Sequence, residues 1–103
     1  MIKNRQLFKI DPVRDTTMFY VYVLENQLTK RWYTGSTNDL RKRFNQHTAN
    51  KVYSTKNKGE YKLIYYESSL NEKDARSREV YLKSGMGKRY LTNRLKRFLS
   101  LTG

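Results

Sequence analysis

The chain has 103 residues, enough for one domain and too few for a second core. Its 22 Lys+Arg outnumber 9 Asp+Glu for a formal net charge of +13, and cysteine is absent, which excludes disulfides, zinc–thiolate centres and thiol catalysis. No apolar run approaches the ~20 residues of a membrane-spanning helix, and no signal-peptide pattern opens the chain, so a cytoplasmic protein is expected.

The charge is spread through the chain: residues 1–17 carry +2, residues 18–60 carry +5 and residues 61–103 carry +6. Such a field attracts phosphate backbones over several ångströms and weakens steeply with salt. An anionic membrane surface is the competing partner, but no apolar anchor or amphipathic terminal helix accompanies the charge at the N-terminus. Nine tyrosines and one tryptophan supply core area that the modest aliphatic content does not.

Residues 1–17 show no sustained period and are interrupted by Asp11-Pro12. They read as an N-terminal extension to a domain over residues 18–100, one that serves self-association or recruits a partner. Residues 18–24, Met-Phe-Tyr-Val-Tyr-Val-Leu, are β-branched and aromatic with apolar residues on both faces, which predicts a central strand. A polar turn over Glu25 to Arg31 leads to a short hairpin partner at Trp32-Tyr33-Thr34. Ser36 or Thr37 is placed to cap a helix running to about His47, with Asp39 in its first turn and Leu40 and Phe44 facing the core.

Residues 48–60 are polar and read as a loop, followed by a third strand over Tyr61 to Glu67. Ser69 or Asn71 can cap a second helix lasting to Lys83, stopped by Ser84-Gly85-Met86-Gly87. A last helix is predicted over about 88–100, with Leu91, Leu95, Phe98 and Leu99 on one stripe and Arg89, Lys96 and Arg97 on the other side.

Three groups of residues carry candidate chemistry. Arg43 and His47 are spaced i,i+4 and project from one helix face at the edge of the Leu40/Phe44 stripe. An arginine there can place planar donors on a phosphate; a solvated face is the plainer reading, since Arg41, Lys42 and Arg43 are consecutive. Glu79 interrupts the inward stripe of Ala75 and Leu82, and a buried carboxylate needs a cation. That cation is either an ion-pair partner, Arg76, Arg78 or Lys83, or a hard divalent ion that completes its shell with water and phosphate oxygens. Tyr22 and Tyr33 are core aromatics or phenols acting on a water; a tyrosine base working near neutrality needs about 4 kcal/mol of differential stabilisation. Paired-histidine metal sites, phosphate-binding glycine loops, nucleophile elbows and serine triads are all absent.

Taken in order, Tyr20-Val21-Tyr22, Tyr33-Thr34-Gly35, the helix segment Asn38 to His47 and the segment Ala75-Arg76-Ser77-Arg78-Glu79 resemble the GIY-YIG nuclease family over about residues 18–97. The chain most resembles the small stand-alone bacterial members, related to the nuclease half of the excision-repair incision subunit and to intron homing endonucleases. The resemblance implies an α/β fold, a small three-stranded, mainly antiparallel sheet flanked by three or more helices. It implies a divalent-metal-dependent endonuclease acting on DNA, with RNA the alternative, more by structure than by sequence.

By the same resemblance Tyr22 or Tyr33 orients or deprotonates the attacking water, Arg43 binds the scissile phosphate, and His47 assists beside it. Glu79 holds a single Mg²⁺ or Mn²⁺. Arg41, Lys42, Lys56, Lys58, Arg89, Lys96 and Arg97 are the candidate nucleic-acid contacts. The chain departs from the pattern in three places. Tyr20 stands where the first triplet has glycine, Ser36 follows the second triplet where the repair nucleases have lysine, and Asn93 is the only counterpart of the last-helix asparagine. These departures motivate the other reading, a nucleic-acid-binding module of the same fold without turnover.

Overall fold

The computed structural model describes residues 17–102. Strands β1 (Phe19–Asn26) and β2 (Trp32–Thr37) form a hairpin and are followed by helix α1 (Leu40–Thr48). Strand β3 (Tyr61–Ser69) then leads to α2 (Glu72–Lys83), α3 (Gly85–Arg94) and α4 (Lys96–Thr102). The sheet is antiparallel with order β2-β1-β3, so β1 is central as its two apolar faces require. The reading of residues 1–17 as an extension falls, but for Thr17, outside the described residues.

Alternation along β1 divides the molecule. Val21 and Val23 point to one face and form the buried core with Ala75 and Leu82 of α2 and Leu91 of α3; Phe19, Trp32, Ile64, Tyr65, Tyr81 and Leu95 pack around them. Tyr22 and Leu24, also fully buried, point to the other face, where α1 and the connection over residues 49–60 lie. Each of the buried valines and leucines among them contributes roughly 1.5–3 kcal/mol by leaving water. A register shift between Val23 and Leu24 in the β1–β3 ladder twists the sheet beyond that point.

The start of α1 departs from the sequence reading in a way that positions the site, while α2 starts at one of the two caps expected. Ser36 and Thr37 do not cap α1, because both remain in β2, paired with Val21 and Tyr20. The cap is Asp39, whose carboxylate accepts from the Lys42 amide at 3.1 Å, while Thr37 Oγ1 accepts from the Asp39 amide. Asn71 caps α2 by accepting from the amides of Lys73 and Asp74.

The single last helix predicted over 88–100 is instead two helices broken at Leu95. Ser84 ends α2 and starts α3, its hydroxyl accepting from the Gly87 amide at 3.1 Å. The run stops α2 after Lys83 as expected, and its two glycines also form the first turn of the next helix, because the serine oxygen supplies the partner that the free amide lacks. Lys62 lies over the Phe98 ring at 5.3 Å and ties α4 to β3.

Gly87 is required by contact. A Cβ there would strike the Tyr81 carbonyl oxygen and the Leu82 Cα, both backbone of α2. Gly87→Ala is expected to cost about 1–3 kcal/mol through forced separation of α2 and α3. Thermal unfolding by circular dichroism should show a Tm lower by at least about 4 °C for a domain of this size.

Candidate active site

Tyr22 is the hub. Its side chain is 1% exposed and lies across Gly35, its cross-strand partner in β2. A Cβ at Gly35 would come within 2.6 Å of the tyrosine oxygen and 2.8 Å of Cζ, so the glycine of the second triplet makes room for the tyrosine of the first. The Tyr22 oxygen meets His47 Nε2 at 3.0 Å and receives a hydrogen bond from Arg43 Nε at 3.3 Å. Arg43 and His47 reach it together because i,i+4 spacing stacks them on one face of α1.

The far side of His47 is also held. Nδ1 lies 2.8 Å from Thr55 Oγ1, and Thr55 is itself buried in the 49–60 connection, where its hydroxyl is 3.5 Å from the Val52 carbonyl. With the proton on Nδ1, each group donates to the next: Arg43 to Tyr22, Tyr22 to His47, His47 to Thr55, and Thr55 to the Val52 carbonyl. Tyr33 packs edge-on to the His47 ring at 5.1 Å and tilted against Tyr22 at 6.3 Å. Asn26 secures the connection from the opposite end, donating to the Lys58 carbonyl at 2.7 Å.

Burial shapes the proton affinities. It pushes the Tyr22 phenol up to about 12; the Arg43 hydrogen bond opposes it and loses. Tyr22 is therefore a firmly protonated phenol near neutrality, in the direction opposite to the one that a base requires. Burial, helped by the Arg43 charge, lowers His47 to about 4, so the imidazole is neutral. Both groups act here as neutral hydrogen-bonding partners that fix the guanidinium.

Arg43 also donates from Nη1 to Gln46 Oε1 at 3.3 Å. Two bonds leave part of a five-donor fork for a ligand. Arg43, Lys42 and Gln46 line a hollow of about 350 Å³ with Ser36, Thr37, Asn38 and Asp39.

Glu79 approaches from the other side of β2. Ser36, adjacent to Gly35 and so facing oppositely, donates to Glu79 Oε1 at 2.7 Å. Lys83 Nζ sits 2.9 Å from Oε2. Of the three ion-pair candidates, Lys83 is the one on Glu79; Arg76 pairs with Glu72 and Arg78 with Glu67. Burial is the largest influence on Glu79 and would raise its pKa. The Ser36 and Lys83 hydrogen bonds and the nearby Lys83 and Arg76 charges outweigh it and hold the carboxyl below its ordinary value.

Among the described residues no three His, Asp or Glu side chains gather as a ready metal cage. The donor set fits a hard cation in one mode only: Glu79 carboxylate oxygens beside the Ser36 hydroxyl, with water and substrate oxygens completing the shell. The Lys83 bridge in the way joins a lysine exposed to solvent to a half-buried carboxylate one helical turn earlier.

Tyr22, Tyr33, Arg43 and His47 thus converge on one face of the β2 edge, and Glu79 meets that edge through Ser36 on the other. Arg41 and Lys42 are exposed on α1, and Lys56 and Lys58 are exposed on the connection that holds His47. Arg89, Lys96 and Arg97 are exposed on α3 and α4, on the helical side of the sheet, and are not brought to the Arg43 face. Asn93 is exposed on α3. Thr55 and Gln46 were not anticipated from sequence. The first lies in an aperiodic polar stretch, while the second stands three residues after Arg43 on the same helix, a signal that was available.

Residues 18–96 match the family model of the GIY-YIG catalytic domain. A UPF0213 protein of Clostridium perfringens is 40% identical over 67 residues, covering 64% of this chain and 71% of its own length. A UPF0213 protein of Bacillus halodurans, solved by NMR in solution, is 29% identical with a TM-score of 0.48, covering 74% of this chain and 83% of that one. No helix among the described residues is long and apolar enough to cross a membrane.

Two measurements check the hub. His47 is the sole histidine, so its ring proton resonance is unambiguous by NMR. It should titrate with a midpoint near 4 and not 6.5. Because the folded value is the lower one, the neutral ring's stabilising contribution is complete above pH 6.5 and fades as pH falls through the folded midpoint. Gly35→Ala should displace the Tyr22 ring and move that midpoint back toward the ordinary value; an unchanged midpoint would show that the glycine does not set the ring's position.

Proposed function

Because this chain belongs to the GIY-YIG family, whose catalytic domain it matches over residues 18–96, we propose that it is a divalent-metal-dependent endonuclease hydrolysing DNA phosphodiester bonds, selecting structure more than sequence. The observation that carries this reading is the half-buried Arg43, clamped by Tyr22 and Gln46 at the lip of a polar hollow whose rim also reaches Ser36 and, through it, Glu79.

In this scheme the hollow takes the scissile phosphate. Arg43 turns its remaining N–H donors on the non-bridging oxygens and stabilises the charge that grows there. Its fixed position is the contribution of the neutral Tyr22–His47–Thr55 chain, which lowers the cost of ordering a long side chain in the transition state. Tyr22, with its phenol held protonated, serves as anchor. Tyr33, half-buried beside the His47 ring, is the phenol assigned to hold the attacking water. Glu79 with Ser36 would hold one Mg²⁺ or Mn²⁺, which when bound supplies Lewis-acid polarisation of the phosphate. Lys42 and Arg41 add backbone contacts along α1.

The occupied state of Glu79 favours one other reading. Both carboxylate oxygens are engaged, one by Ser36 and one by Lys83, as suits a nucleic-acid-binding module that has given up turnover.

Cleavage of branched, gapped and supercoiled DNA with and without Mg²⁺ separates the two. Activity is expected with the metal, lower by about 10²–10³-fold in Arg43→Ala through loss of a charge-stabilising donor and comparably low in Glu79→Gln. A Mn²⁺ titration followed by paramagnetic broadening should reach the amides around Ser36 and Glu79 in the native protein and not in Glu79→Gln. Tight binding with no cutting by the native chain in either metal would favour the binding module.

A further inference from the structure

A second hollow of about 510 Å³ opens on the α1 side of the sheet, a size ordinary for sites that enclose ring-bearing ligands. Its walls are Tyr20 of β1, Tyr66 and Leu63 of β3, and Leu40 and Phe44 of α1, with Arg41 at the rim. Asn38 and Asp39 line both this hollow and the one holding Arg43, so the two are neighbours at the start of α1.

Tyr66 is the unusual member. Strand register puts it on the same face as Tyr20 and Tyr22, yet it remains 54% exposed, and its ring contact is edge-on to Tyr20 at 6.1 Å and 63°. An edge-on pair leaves the face of one ring free. Tyr20 also stands where the family triplet has glycine, so one wall of the hollow comes from a departure from the motif.

Resting on the reading of the Arg43 hollow as a phosphate site, we infer that the Tyr20–Tyr66 hollow receives an unpaired nucleobase of the same strand, stacked on Tyr66 and roofed by Arg41. The proposed substrate class is therefore DNA with an unpaired nucleotide beside the cut.

The chemistry favours a base over other flat apolar groups. A nucleobase offers a π-face to an aromatic or a guanidinium whatever its identity. Its attached phosphate needs cationic donors one step away, and Lys42 and Arg43 supply them in the neighbouring hollow. The one carboxylate lining both hollows is Asp39, whose oxygen is turned to the Lys42 amide as the helix cap. A base in a paired duplex is stacked within the helix and cannot enter, which makes the hollow a discriminator.

The test uses 2-aminopurine, whose fluorescence falls on stacking, placed as a single bulged base in a DNA duplex or paired in the matching duplex. Binding is measured in EDTA at fixed salt, so cleavage plays no part. The native chain should quench the bulged probe and not the paired one. Tyr66→Ala should abolish the quench and weaken bulge binding by about tenfold, the worth of one stacked base, with duplex binding within twofold. Tyr66→Phe should restore both. Because Tyr66 is exposed, circular dichroism is expected to show native folding for either variant. Absence of quenching by the native chain, or equal loss on bulge and duplex in Tyr66→Ala, overturns the inference. Cleavage that survives such a failure leaves the nuclease reading standing, and stacking without cleavage overturns only the latter.

Discussion

The buried hydroxyl of Tyr22 is the point on which the site depends. A phenol oxygen taken out of water must find partners inside the protein, and here it finds a guanidinium on one side and an imidazole on the other. That requirement fixes the rotation of α1 relative to the sheet, since only the face bearing Arg43 and His47 satisfies it. It also explains why a polar, aperiodic connection is ordered over α1: His47 needs a second partner, and Thr55 provides it. Remove the phenol and Arg43 would lose its anchor on the sheet, keeping the Gln46 bond on its own helix.

Much of this was legible in the residues. Apolar residues on both faces of Met18 to Leu24 identified the central strand, the hairpin followed from the polar turn, and the i,i+4 spacing of Arg43 and His47 put both on one face. The inward position of Glu79 was visible from Ala75 and Leu82. What the pattern did not carry was competition between neighbours for the same backbone. Ser36 and Thr37 look like helix caps until β1 claims them as cross-strand partners. The run Ser84-Gly85-Met86-Gly87 looks like a terminator until the serine is seen to serve two helices and Gly87 to admit α2.

Electrostatics was the least legible layer. Counting nearby cations suggests that a tyrosine here should lose its proton readily, but the depth of Tyr22 raises its pKa and burial outweighs Arg43. The same depth keeps His47 uncharged. Sequence spacing gives proximity along the chain; how much water remains around a group depends on packing from three separate segments, and no local pattern reports it. Ser36, which from sequence read as a missing cation, turned out to be a hydroxyl donor to Glu79.

The placement of β2 at the margin of the sheet has a consequence for assembly. Its outer hydrogen-bonding edge is not claimed by another strand among the described residues; Glu79 bonds to Ser36 on this strand, and Arg43 bonds to Tyr22, which lies across Gly35. In the proposed scheme, a strand that docked there, from a second copy or a peptide, would crowd the hollow lined by Ser36, Thr37 and Arg43 that is assigned to the phosphate. Edge-to-edge pairing, ordinarily an aggregation hazard for an open sheet, would under the same scheme also block the centre, so that scheme requires a naked margin.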